Sequence, residues 1–269
     1  MSKVVFITGI SSGFGKHTAS LLAEKGHKVY GTCRRESEHD SKVNVLYMDV
    51  TDKAAVEICI KTVIEKEGRI DVLINNAGMH VGGPVEITPY ENIQLQMDTN
   101  FMGVVHTIRA VLPFMRKQGN GRIINISSMN GLLSTPFVGF YCASKFAVEG
   151  LSESLRMELK PFNIQLILVN PGDFHTQNTA NRKNIYTLEG NNAYETQSKK
   201  SLAVIEKDEN SGWHPDILAR KIVKIVDSKN PHNRYVVGSF EQKLAVVLKY
   251  ILPGSWFAKI IESHYGIKA

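Results

Sequence analysis

The sequence predicts an α/β fold, a doubly wound parallel sheet with helices on both faces, and two observations carry the prediction. Short apolar, β-branched runs alternate with segments of helical period along almost all of the 269 residues. A run that is apolar throughout, with no polar alternation, suits a strand covered on both sides. The connections are short and no linker-like stretch appears, so one domain is expected over residues 1–269.

KVVFITG, from Lys3 to Gly9, is the first expected strand. GFGKHTASLLAEKG follows with Phe14, Thr18, Leu21 and Leu22 at helical spacing and stops at Gly26. HKVYGTCR is the second strand and VNVLYMDV the third, and Arg35 to Lys42 leaves too little room for a full crossover helix between them. A helix from Asp52 to Glu67 leads to the fourth strand, RIDVLINNAG. Pro89 to Lys117 reads as largely helical, GRIINISS as a strand, Tyr141 to Lys160 as a helix stopped by Pro161, and NIQLILVNPG as a strand. Residues 173–212 break the pattern, being polar and without a strong period, which predicts a substrate lid or a disordered segment. Pro215 to Ser228 resumes as a helix, RYVVG is the last strand, and residues 239–269 form an amphipathic extension broken at Pro253-Gly254.

Composition narrows the class of function. The chain carries 32 Lys and Arg against 26 acids, a net charge of +6. The basic residues are scattered rather than clustered, so no nucleic-acid partner is expected. Cys33, Cys59 and Cys142 lie far apart, without a CxxC pair, which predicts neither a metal site nor a disulfide framework. The start, MSKVVFITG, enters a strand directly, without the regions of a signal peptide, and no apolar run reaches the roughly 18 residues of a membrane span. A reducing, cytoplasmic setting is expected.

Two stretches carry chemistry. TGISSGFG joins the first strand to the first helix, where glycines let the backbone approach a pyrophosphate and the helix dipole favours its charge. YCASK places Tyr141 and Lys145 four positions apart, on one face of a helix. A lysine cation near a phenol is expected to lower its pKa and make proton exchange feasible at neutral pH.

With five further motifs these stretches fall into an ordered set: Asp49-Val50 after the third strand, NNAG after the fourth, Asn100 in DTNFMG, Ser128 thirteen positions before Tyr141, and Pro171-Gly172 after the sixth strand. In order and spacing the set, spanning roughly Lys3 to Gly238, resembles the short-chain dehydrogenase/reductase family, with its Rossmann-type sheet. The resemblance implies an oxidoreductase that interconverts a carbonyl and an alcohol by hydride transfer. Tyr141 would be the acid or base, Ser128 would hydrogen-bond the substrate oxygen, Lys145 would bind the nicotinamide ribose and tune Tyr141, and Asn100 would hold a relay water. It further places Gly9, Ser11, Ser12, Gly13, Phe14 and Gly15 around the phosphates and nicotinamide, with Asp49 and Val50 at the adenine. Asn76, Ala77, Gly78, Pro171, Gly172, Phe174 and Thr176 would line the rest of the cofactor, while Asn75 would brace neighbouring strands.

Charge argues for NADP(H). The acid that binds a 2′-hydroxyl at the end of the second strand is replaced by Cys33, followed by Arg34 and Arg35, which suit a 2′-phosphate. Ser12 stands where many NADP-dependent relatives carry a basic residue. Phe14 and Phe174 are larger than the family's usual residues and would reshape the pocket floor; His175 is expected to be structural or substrate-lining.

YCASKFAVEG and PGDFHT resemble the hydroxysteroid and retinol dehydrogenase branch, which suggests a lipophilic substrate of steroid, retinoid or acyl-ketone type. The tail supports it, with Leu244, Val247, Leu248, Ile251, Trp256, Phe257, Ile260 and Ile261 on an apolar face edged by Lys243, Lys249 and Lys259. Such a stretch packs on its own domain or a partner subunit more often than it rests on a membrane surface. By resemblance, the helices near Asn100 to Lys117 and Tyr141 to Lys160 would pair subunits into a homodimer or homotetramer. The alternative function is a non-catalytic NADP-binding sensor or scaffold on the same fold.

Overall fold

A computed structural model describes residues 2–36, 39–176, 182–185 and 193–267. Its centre is a sheet of seven parallel strands: β1 (Val4–Thr8), β2 (Lys28–Cys33), β3 (Asn44–Tyr47), β4 (Val72–Asn75), β6 (Gly121–Ile126), β7 (Ile164–Pro171) and β9 (Arg234–Val237). They lie in the order β3-β2-β1-β4-β6-β7-β9. Val5 pairs with Val29 on one side and Val72 on the other, so the chain winds outward from β1 and then returns past it to β4. That reversal opens a crevice at the carboxyl ends of β1 and β4.

Alternation along the strands divides the core between the two faces. Phe6, Leu73 and Ile123 point to one face and pack against α2 (Lys53–Glu67), α4 (Gly103–Gln118) and α5 (Gly139–Leu159). Val5, Ile7, Ile74 and Ile124 point to the other, against α1 (Gly13–Glu24) and α7 (Pro215–Asp227). Each fully buried large side chain contributes about 1.5–3 kcal/mol, and this double layer holds the crevice rigid.

Some connections follow expectation and others differ from it. The described residues between β2 and β3 contain no helix, as the short spacing predicts. α3 (Tyr90–Met97) runs into a π-turn, Asp98–Met102, before α4 continues, so the predicted helix carries a bulge centred on Asn100. α5 starts at Gly139, which puts Tyr141 in its first turn, and a 3₁₀ turn, Lys160–Phe162, carries the chain through Pro161.

The described part of the polar insert holds more regular structure than its sequence suggests. A short pair joins β5 (Val81–Gly82) to β8 (Lys183–Asn184), and α6 (Glu195–Asn210) is a regular helix. α6 buries Ser198, Ser201, Leu202 and Ile205, a helical spacing in which two of the four inward residues are serine, so the hydrophobic period is faint. Residues 177–181 and 186–192 of the predicted lid lie outside the described residues.

The tail forms α8 (Phe240–Ile251), started by a capping box between Ser239 and Gln242, and α9 (Gly254–His264) after Pro253. α8 buries no residue and α9 buries Phe257, so most of the predicted apolar face is uncovered. Among the described residues no helix is long and apolar enough to cross a membrane.

Candidate active site

The turn after β1 is shaped by two glycines. A side chain on Gly9 would stand 2.8 Å from the Ala77 Cα, and one on Gly15 would stand 2.1 Å from the Gly9 carbonyl oxygen. Gly9 also has φ of +73°, where a side chain is strained. The Asn76 side-chain amide donates to the carbonyls of Thr8 and Gly9 at 2.9 and 2.8 Å, and the Thr8 hydroxyl accepts from the amides of Asn76 and Ala77 at 3.0 Å each. The NNAG segment is thereby clamped to the glycine turn. Ser12 stands at the start of α1 without a side-chain cap, and no acid lies in the first turn. Its leading amides are free to meet an anion.

The crevice widens into a cavity of about 1220 Å³ that reaches from Ser11 and Arg34 past Tyr141 and Lys145 to α6 and α9. Of the residues named for cofactor contact, Gly15 and Asn100 do not line it; Gly15 instead shapes the turn. Asn100 is buried behind the wall. A nicotinamide dinucleotide fits these donors: an uncapped helix start for phosphate, a glycine cradle with no room for Cβ, and a polar end at Lys145.

Ser128 and Tyr141 both line the cavity, and the Ser128 hydroxyl pulls the Tyr141 phenol downward in pKa. Ser128 is fixed from behind, where Asn170 donates to its carbonyl at 3.0 Å and to Glu149 at 2.6 Å, and Arg234 bonds both Glu149 and Asn170. Lys145 donates to the Ile126 carbonyl at 3.0 Å, and its ammonium lies 5.8 Å from the centre of the Tyr141 ring. Asn75 braces the sheet as expected, donating to Asn125 at 2.9 Å across β4 and β6.

The electrostatics correct one expectation. Burial pushes the Tyr141 phenol up to about 12, outweighing the downward pull of Ser128, and burial draws Lys145 down to about 8 against the opposing pull of Glu149. In the protein alone, desolvation is the largest cause of the shift at both groups. The Asn100 side chain differs too. It accepts from the Met79 amide at 2.8 Å and donates to the Met79 carbonyl at 2.9 Å and to Ser144 at 3.1 Å, so its amide pins the strand-end loop. A water held at this position would have to use its backbone, in the π-turn.

Arg34 lies 4.0 Å from the Asp49 carboxylate, both side chains substantially exposed, and Arg35 is exposed beside it. Phe14 and Phe174 meet edge to face at 5.1 Å, and Trp213 meets Phe174 at 6.1 Å, so the two enlarged residues fill one another's space. Thr176 lines the cavity, whereas His175 is exposed, bonds the Trp213 carbonyl through its backbone and does not line it.

Four groups escaped the sequence reading. His80 stacks on Tyr141 at 4.2 Å and accepts from Arg182 at 3.1 Å; Arg182 in turn pairs with Glu209 of α6. Burial, with Arg182 and Lys145 nearby, holds His80 well below the usual imidazole range. On the far wall, burial pushes Asp173 up to about 6, with Asp208 and Glu209 adding to it. Tyr265, from the tail, packs beside Tyr141, Val138 and Leu202. Only His80 carried a sequence signal, its place two residues beyond NNAG at a strand's carboxyl end.

Comparison with known proteins agrees with this geometry. The short chain dehydrogenase pattern matches residues 3–186. The 3-ketodihydrosphingosine reductase of Bacteroides thetaiotaomicron is 49% identical over 99% of each chain. Human 17-beta-hydroxysteroid dehydrogenase type 1 is 39% identical over 64% of this chain and 57% of its own. A solved short-chain dehydrogenase from Streptomyces avermitilis superposes with a TM-score of 0.81 at 30% identity, over 97% of each chain. One from Burkholderia phymatum in complex with NAD gives 0.77 at 26% identity, over 93% of each chain.

Proposed function

The chain belongs to the short-chain dehydrogenase family, and we propose that it is an NADPH-dependent reductase of a long-chain ketone of the 3-ketodihydrosphingosine type. The observation that carries the reading is the continuity of one cavity, from the phosphate turn, past Tyr141, to an apolar wall that includes Leu133, Ile205 and Ile261. The relative that is 49% identical along its length supports the substrate class.

When bound, the cofactor supplies the hydride. The chain's own residues do the rest. Ser128 and Tyr141 grip the ketone oxygen, and Tyr141, held protonated by burial, donates its proton as that oxygen gains negative charge. Lys145, still a cation below about pH 8, holds the ribose hydroxyls and offsets the charge left on the phenolate. The raised phenol pKa keeps Tyr141 protonated in the free protein, the state that reduction uses, whereas oxidation uses the deprotonated state. Arg34, with Arg35 beside it, binds the 2′-phosphate, a charge-assisted contact open to solvent. Assembly into a homodimer or homotetramer through α4 and α5 belongs to the same reading; Phe146 and Met157 of α5 are exposed.

The test is NADPH oxidation by the purified protein against small diketones, steroid ketones, retinal and 3-ketodihydrosphingosine, each repeated with NADH. Turnover led by the sphingoid ketone, with NADPH preferred, supports the proposal. Turnover confined to small polar carbonyls rejects the substrate, and equal efficiency with NADH rejects the role of Arg34.

A further inference from the structure

Beside the catalytic cavity lies a second one of about 780 Å³, and the two share Thr135 and Ile261 as lining residues. Its walls come from the β5–α3 loop, the segment before α5 and helix α9, and Val85, Phe137, Phe257 and Ala258 make them apolar. Its charged lining residues, Glu86, Lys249 and Glu262, are all exposed, so charge stands at the mouth and not on the floor. Tyr194 closes part of the rim by donating to Glu86 at 2.6 Å. Phe137 lines the groove and packs in the same apolar cluster as Tyr141. Its φ of +60° lies in the left-handed region, which costs a bulky residue energy and persists because the surrounding packing holds it.

We propose that this groove takes the aliphatic chain of the substrate whose ketone meets Tyr141, with Thr135 and Ile261 as the threshold between head and chain. The inference rests on the reductase reading and adds where the chain runs. The two lining residues shared with the catalytic cavity select this occupant, because a chain leaving Tyr141 and passing Thr135 and Ile261 meets an apolar space with no buried charge to desolvate. The polar rim then suits the point at which a chain end reaches water.

The experiment uses the full-length protein with NADPH and a series of amino ketones sharing one head group, with chains from roughly eight to eighteen carbons, below their micelle concentrations. KM is expected to fall by roughly two- to fourfold per added methylene over part of the series, while kcat changes little. Ala258→Trp, at an exposed position on the groove wall, is expected to raise KM for the longest chains at least tenfold and to leave the shortest substrate and NADPH binding unchanged. Val85→Trp, on the opposite lip, should act in the same way. KM independent of chain length, or a Trp substitution that affects short and long chains alike, overturns the proposal. A Trp variant that changes only the sedimentation of the protein also overturns it, and makes the groove a contact between subunits. Absence of turnover at every chain length contradicts the reductase reading itself, and the groove with it.

Discussion

The glycine turn and the tail are built on opposite principles. Around Gly9 the backbone is clamped by Thr8 and Asn76 over distances near 3 Å, and the strand behind it is buried at every position. Around α8 and α9, Phe257 alone is buried and Phe240, Tyr250 and Trp256 stand exposed. The first region must hold one invariant ligand shape against a helix start, so it is rigid and specified by short motifs. The second forms the far wall of the cavity without being needed by the sheet, so its residues are free to follow the substrate.

Substitutions can break this contrast. Gly15→Ala drives a methyl group into the Gly9 carbonyl and should weaken NADPH binding at least tenfold by fluorescence titration; unchanged affinity would show that the turn is adaptable. Phe6→Ala, in the sheet, should cost about 3–5 kcal/mol in urea unfolding. Phe257→Ala should cost under about 1 kcal/mol globally, because the tail can open alone, while raising KM for a long-chain ketone. Equal losses from the two would mean that tail and sheet unfold as one unit.

Two smaller effects sharpen the picture of the cofactor end. Arg34→Asp should shift the ratio of kcat/KM for NADPH over NADH by roughly ten- to a hundredfold towards NADH. The pH profile reports Lys145: its cation is present below a pKa of about 8 and lost above it. The efficiency of NADPH-dependent reduction should therefore fall about tenfold per pH unit above that point, and a flat profile to pH 10 would remove Lys145 from cofactor binding.

The strands along the chain and the parallel sheet with its crevice were legible because each depends on local chemistry, an apolar run or a glycine at a turn, whereas Ser128, Tyr141 and Lys145 were named from an order and spacing that resemble the family's. What stayed hidden depends on long-range contact. α6 hides its buried face behind Ser198 and Ser201, and His80 and Arg182 meet only because β5 pairs with β8. Tyr265 reaches the Tyr141 cluster from the far end of the chain. The direction of the Tyr141 shift was also misread from sequence, since a Tyr/Lys spacing reveals an attraction and says nothing of how deeply both are buried.

The most direct measurement follows deuterium from C4-deuterated NADPH into the alcohol formed from 3-ketodihydrosphingosine, with wild-type protein and Tyr141→Phe side by side. The account predicts label on the carbinol carbon with the wild type. It predicts a rate at least a hundredfold lower for the variant, with NADPH binding retained. A Tyr141→Phe protein that transfers deuterium at the wild-type rate would contradict it.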